Sequence, residues 1–170
     1  MKSKKIIFLF ICMYSFVSFS QTKQLWAKSF LNEKAPELVV EEWISSEPDS
    51  KGKFILIDFW ATWCGPCIRA IPELNSFHKK FKEDLVVIGI SDESREKIEN
   101  FKKVKIEYYN AIDTNETLKN IYQAKGIPHC VLIDPDGIVR WEGFPTLEGH
   151  ELTEEVISEI IKKYKYLLLF

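Results

Sequence analysis

Cysteine is scarce in this chain, with four in 170 residues. One of them, Cys12, falls in an N-terminal apolar run, which leaves Cys64, Cys67 and Cys130 in the body of the sequence. Three cysteines do not make a framework of staples, and a domain of about 150 residues can bury a core without one. The single close pair, Cys64 and Cys67, therefore reads as redox chemistry rather than scaffolding. A structural zinc would need two further ligands near that pair, and Gly65-Pro66 between two cysteines that open a helix fits redox use better. Haem attachment would need histidine directly after Cys67, where Ile68 stands. Charge of one sign is also lacking: 23 basic residues meet 25 acidic ones, for a net charge of −2, and nothing invites nucleic acid. There is no internal repeat and no low-complexity tract.

What stands at the N-terminus is a leader pattern. Met1 to Lys5 holds three lysines, Ile6 to Val17 is apolar, and Ser18-Phe19-Ser20 offers small residues where a signal peptidase reads. The pattern predicts a secretory signal over 1–20 with Gln21 as the mature N-terminus, and export to the cell envelope, the periplasm if the source is Gram-negative. A retained anchor is the competing reading, but Ile6–Val17 falls short of the roughly 20 residues a spanning helix needs. Lipid attachment at Cys12 is disfavoured by Ile11, where a lipoprotein signal carries a small residue. Removal of 1–20 takes away three lysines and no acid, giving a mature charge of about −5. The expected division is then a loose lead-in over 21–34, a domain over 35–166 and an apolar tail over 167–170.

The chain is organised around Phe54 to Ala70. Phe54 to Trp60 is apolar except for Asp58 and predicts a strand buried on both faces, followed by a short turn and a helix with apolar positions Ile68, Ile71, Leu74, Phe77 and Phe81. The cysteines sit at the junction. Unpaired N–H groups and the positive end of the helix dipole favour an anion there, so Cys64 is expected as the exposed, nucleophilic sulfur. Cys67, one turn on, can close a disulfide with it and is expected to be shielded. Pro66 suits the first turn, and Pro72 inside the helix predicts a kink.

Trp63-Cys64-Gly65-Pro66-Cys67, preceded by Phe59-Trp60-Ala61, resembles the active site of the thioredoxin superfamily. The resemblance spans Ala35 to Tyr164. It implies an α/β thioredoxin-like fold, a central mixed β-sheet flanked by helices. It also implies that Asp58, six positions before Cys64, is the buried acid beneath Cys67, and that Gly126-Ile127-Pro128 carries a cis-proline facing the disulfide. Trp63, Gly65, Pro66, Ile127 and Pro128 are then the substrate-binding positions, with Ile127 pairing its main chain to an extended client peptide. An extra helix and strand between the two halves of the thioredoxin core resembles the insertion of the TlpA/ResA branch.

Along the rest of the chain, Pro36–Ile44 predicts a first strand and Ser45–Lys53 a loop. Leu85–Ile90 predicts a second buried strand, parallel to the first half of the unit. Ser94–Lys103 predicts a helix with Ile98 and Phe101 inward, Ile106–Ile112 a strand, and Asn115–Ala124 a helix around Leu118, Ile121 and Tyr122. His129–Ile133 and Ile138–Glu142 read as a hairpin through Asp134-Pro135-Asp136-Gly137. A closing helix follows, capped by Thr153, with Leu152, Val156, Ile157, Ile160, Ile161 and Tyr164 on its apolar side. The tail ending at Phe170 is expected to fold back onto the domain.

The resulting expectation is a thiol-disulfide oxidoreductase with Cys64, Cys67 and Asp58 as its catalytic residues and no cofactor or metal. Its partners would be client proteins bearing disulfides and an unidentified membrane or envelope electron donor, and the chain itself would be a monomer. Gly-Pro between the cysteines resembles reducing thioredoxins more than the oxidising DsbA type. A ResA-type reductase for cytochrome c maturation carries an acid three residues after the second cysteine, where Ala70 stands. The single-cysteine pattern of a peroxiredoxin is absent, since Thr62 lies only two residues before Cys64. The competing classes are a non-catalytic binding or chaperone module on the same fold and an oxidising or isomerising exchanger. Cys130 reads as a small core residue, Trp60 as packing, His129 as a neighbour of the site, and His78 and His150 as surface positions.

Overall fold

Phe54–Phe59 lies at the centre of a six-stranded mixed sheet, with strands on both sides of it. The computed structural model describes residues 26–165. The leader expected over 1–20, including Cys12, and the apolar tail expected over 167–170 lie outside the described residues. In chain order the elements are β1 (Glu42–Trp43), β2 (Phe54–Phe59), α1 (Gly65–Lys80), β3 (Leu85–Ser91), α2 (Arg95–Glu99), β4 (Tyr109–Ile112), α3 (Thr117–Ile121), β5 (His129–Ile133), β6 (Val139–Gly143) and α4 (Glu154–Lys165). The sheet order is β1-β4-β3-β2-β5-β6. Strands β2, β3 and β4 run parallel, while β5, β6 and β1 each pair antiparallel with their neighbours.

Because side chains alternate across a strand, β2 divides the core in two. Leu56 faces a layer formed with Ile71, Leu74 and Phe77 of α1 and Ile157 and Ile161 of α4. Ile57 and Phe59 face the other layer, with Leu118, Tyr122 and Phe30. Both faces are covered, which is why the parallel strands read as unbroken apolar runs. Helix α1 continues through Pro72. An interior proline costs about 3 kcal/mol, but full burial of Ile71, Leu74 and Phe77 returns about 1.5–3 kcal/mol each, so packing wins.

Several expected elements are shorter in the structure, each for a local reason. The first strand is Glu42–Trp43 rather than Pro36–Ile44, because its partner β4 offers only four residues at the sheet edge. Strand β4 starts at Tyr109 rather than Ile106: the Asn75 side chain donates to the Lys105 carbonyl at 2.8 Å and accepts from the Glu107 N–H at 2.8 Å, tying that stretch to α1. Helix α2 begins after the Ser94 cap and ends at Glu99, whose carbonyl accepts from Lys102 Nζ at 2.6 Å. Helix α3 is bounded by left-handed backbone at Glu116 (φ 53°) and Gln123 (φ 49°), and Ile121 turns outward instead of joining Leu118 and Tyr122 in the core.

The lead-in is not loose where the structure describes it. Phe30 N–H donates to Glu142 at 2.9 Å, Asn32 N–H to the Val139 carbonyl at 2.8 Å and Ala35 N–H to the Gly137 carbonyl at 2.8 Å. Residues 30–35 thereby cover β6, which would otherwise be an open sheet edge. The hairpin and closing helix form as expected: Asp134 Oδ1 accepts from Asp136 and Ile138, Gly137 takes φ 76°, and Thr153 Oγ1 accepts from Val156 N–H.

One glycine is fixed by packing. A Cβ on Gly89 of β3 would meet Asn110 Oδ1 at 2.8 Å, Trp60 Nε1 at 3.0 Å and Tyr108 Cε2 at 3.0 Å. Gly89→Ala is expected to destabilise the domain by about 1–3 kcal/mol, read as a lower urea midpoint. A midpoint equal to wild type would contradict this packing.

Candidate active site

The carboxyl end of β2 delivers the chain into α1 through Ala61-Thr62-Trp63-Cys64. Trp60 N–H still donates to the Ile90 carbonyl at 3.1 Å, so the strand holds its register up to the turn. The turn is then clamped from below. Buried Glu93 accepts from Thr62 N–H at 2.6 Å and from Thr62 Oγ1 at 2.9 Å, and pairs with Lys97 at 3.1 Å.

Cys64 is the N-cap of α1. Its sulfur takes the place of the usual cap oxygen and accepts from Cys67 N–H at 3.2 Å. Cys64 and Cys67 are joined as a disulfide. Cys67 is fully buried, as expected, but Cys64 is only 3% exposed and is not the open sulfur expected from the sequence. The disulfide turns Cys64 Sγ inward, and the Ile127 carbonyl oxygen lies 3.7 Å from it on the other side. Its neighbours stay outside: Trp63 is 67% exposed, and Gly65 and Pro66 are exposed with it. The Ile127-Pro128 peptide is cis. Trp63, Gly65 and Pro66 thus flank Cys64 along the chain, while the Ile127 carbonyl approaches its sulfur.

Asp58 is completely buried, on the face of β2 that α1 covers. Its strand neighbours in register are Cys130 on β5 and Gly89 on β3, with Asn110 on β4 beyond Gly89. Cys130 Sγ donates to Asp58 Oδ1 at 3.4 Å, and Oδ2 has no protein partner. Burial raises the carboxyl from 3.8 to about 7, while the Cys130 thiol and the Tyr108 hydroxyl pull it back. The Cys130 and Tyr108 groups are themselves pushed up, first by burial and then by the carboxylate they face.

His129 lies on the opposite face of the sheet, paired in register with Phe59 and between Phe59 and Phe144. Burial holds it down at about 4, so the ring is neutral at neutral pH, and neither ring nitrogen has a protein partner. The other histidines are half-buried rather than at the surface. His78 stands edge-on to Tyr109, and His150 stacks on Trp141 with Nε2 2.9 Å from the Glu142 carbonyl oxygen. Trp60 is buried against Phe101, in keeping with a packing role. Among the described residues no cluster of three or more His, Cys, Asp or Glu could hold a metal ion.

Three residues at the site escaped the sequence reading: Glu93, Tyr108 and Gly89. Gly89 alone carried a signal, as a lone glycine inside a strand pattern marks close approach.

The family described as AhpC/TSA matches residues 31–142. Thiol-disulfide oxidoreductase ResA of Bacillus thuringiensis subsp. konkukian is 33% identical over 142 residues, 80% of this chain and 79% of that protein. Among solved structures, a thiol-disulfide isomerase from Corynebacterium glutamicum is similar with a TM-score of 0.63 at 21% identity, over 76% of this chain and 94% of that one. The reduced 2-Cys peroxiredoxin of Plasmodium vivax gives a TM-score of 0.65 at 19% identity, over 84% and 100%. At those identities the structural likeness speaks for the fold alone, which is thioredoxin-like.

The raised Asp58 carboxyl sets the sign of a pH dependence. With its pKa raised, the folded state keeps a proton that the unfolded chain releases, so stability falls as pH rises from 3.8 to about 7. Urea titrations of the oxidised protein should show wild type losing on the order of 4 kcal/mol relative to Asp58→Asn across that window. Parallel stability curves for the two would contradict the raised carboxyl.

Proposed function

The chain belongs to the AhpC/TSA family, and from that membership, its ResA relatives and its capped cysteine pair we propose that it reduces client protein disulfides in the cell envelope. As a thiol-disulfide oxidoreductase it carries its reactive pair at Cys64 and Cys67. The observation that carries the reading is the Cys67 N–H on Cys64 Sγ at the head of α1, a donor aimed at the atom where negative charge must sit.

In the reduced protein, the Cys64 thiolate attacks one sulfur of a client disulfide. A Cys64–client bond forms, the client S–S bond breaks, and the second client sulfur leaves as a thiolate. Cys67 then gives its proton to Asp58 and attacks Cys64 Sγ; the Cys64–client bond breaks, the Cys64–Cys67 disulfide forms, and the client sulfur held on Cys64 leaves as a thiolate, both client thiolates taking protons from solvent to give the dithiol. Two electrons have passed to the client, and a dithiol donor in the envelope returns them. A carboxyl held at about 7 suits this proton exchange, because it is ionised in about half the molecules near neutral pH. Trp63, Gly65 and Pro66 offer the client a surface, and the Ile127 main chain beside Cys64 Sγ offers it a strand-like edge. Export rests on the Met1–Ser20 pattern, and the working unit is a monomer. Ala70, in the place of the acid of a cytochrome-maturation reductase, favours a different client.

With dithiothreitol as donor, the purified domain should accelerate insulin reduction, and Cys67→Ser should trap the mixed disulfide. No acceleration would favour a binding module instead. In rapid-mixing kinetics Asp58→Asn should slow release of the mixed disulfide by about 100-fold or more while leaving its formation within a few fold. Equal slowing of both steps would remove Asp58 from the mechanism.

A further inference from the structure

The two oxygens of a buried carboxyl become unequal only through what surrounds them. Asp58 is flanked in register by Gly89 on β3, which offers no side chain, and by Cys130 on β5. Cys130 is completely buried, as Asp58 is, and side chains paired across neighbouring strands stand on one face with Cβ atoms about 5 Å apart. The thiol meets the carboxyl there. Cys130 Sγ lies 3.4 Å from Oδ1 and donates to it, while Oδ2 has no partner in the protein.

Among the described residues Cys130 is the one side chain that makes a hydrogen bond to this carboxyl. Tyr108 is the other polar neighbour; its hydroxyl makes no hydrogen bond here, although its nearness also draws the carboxyl down. Burial and the facing carboxylate push the Cys130 thiol well up, so it keeps its proton and remains a donor at neutral pH. A buried free cysteine usually does no more than fill space. Here an apolar side chain in its place would leave both carboxylate oxygens without a donor from the protein, at a cost to the charged form.

We propose that Cys130 is the positioning residue of the proton acceptor: its S–H holds Oδ1 of Asp58, which favours the ionised carboxyl and leaves Oδ2 to take the proton of Cys67. The step balances as a single proton transfer. The Cys67 S–H bond breaks, an O–H bond forms at Oδ2, and Cys130 keeps its own proton throughout, so nothing is oxidised or reduced. A donor binds a carboxylate more strongly than a neutral acid. The thiol therefore stabilises the form that is ready to accept and loosens its hold once the proton has arrived. The titratable groups facing Asp58 are Cys130 from β5, Cys67 from α1 and Tyr108 ahead of β4, with Glu73 of α1 acting on Cys130. This role rests on Asp58 as the proton acceptor for Cys67.

The carboxyl can be read without turnover in the oxidised full-length protein, where Cys67 does not titrate. The infrared C=O band of protonated Asp58, identified by its loss in Asp58→Asn, is followed against pH. Cys130→Val removes the donor and leaves no hole, and should raise the midpoint from about 7 by about one pH unit. Cys130→Ala should do the same, while Cys130→Ser, which restores an O–H donor, should return the midpoint to the wild-type value or below it. In the reduced protein, Cys130→Val should release the mixed disulfide about tenfold more slowly at about pH 6 and without slowing at about pH 9. Wild-type midpoints in Cys130→Val and Cys130→Ala, a Cys130→Ser midpoint as high as theirs, or equal slowing of release at both pH values would overturn the role. If Cys130→Val does not fold, Cys130→Ala decides. Wild-type release kinetics in Asp58→Asn would instead remove the catalytic reading and leave these midpoints unchanged.

Discussion

A helix cannot satisfy its own first N–H groups, and here one of those donors is aimed at a sulfur. The Cys67 N–H sits 3.2 Å from Cys64 Sγ because Cys64, rather than an oxygen-bearing residue, caps α1. Everything around the site serves to keep that cap in place. Strand β2 holds its pairing up to Trp60, Glu93 grips Thr62, and Ile71, Leu74 and Phe77 bind the body of the helix to the sheet. A reactive thiol needs both a charge-stabilising donor and a route for its partner to reach it. The one-turn spacing to Cys67 supplies the second.

The sheet does more than hold the helix. Its register aligns Asn110, Gly89, Asp58 and Cys130 in one row across four strands, so a carboxyl is buried beneath the helix with a thiol on one side and a closely packed glycine on the other. Burial without a full set of partners is what lifts Asp58 toward neutrality. The same burial that tunes the acid also isolates it from water.

Long, strongly patterned segments were legible in the sequence. Phe54–Phe59, Leu85–Ser91, the helix opened by Cys64 and the hairpin through Gly137 all carry periodicity or turn chemistry that no tertiary contact overrides. The short elements were not, because their ends are set by side chains distant in sequence. Asn75 fixes where β4 begins, and Glu142 anchors the segment before β1. At the site, Cys64, Cys67, Asp58 and Pro128 could be read from local pattern and family likeness. Glu93 and Tyr108 could not, since an acid after a strand and a tyrosine in a loop signal nothing until the sheet brings them to Thr62 and Asp58. The burial of Cys64 is not legible for a related reason: local pattern shows the helix end but not the Ile127 carbonyl that lies against its sulfur.

The most direct test of the central interaction is the thiol pKa of Cys64 in the reduced protein, followed by thiolate absorbance against pH and by the rate of iodoacetamide alkylation at that residue. A cap donor on the sulfur predicts a value at least one unit below the roughly 8.5 of a free cysteine. A value at or above that of a free cysteine would mean that the end of α1 does not stabilise the thiolate, and the proposed chemistry would lose its foundation.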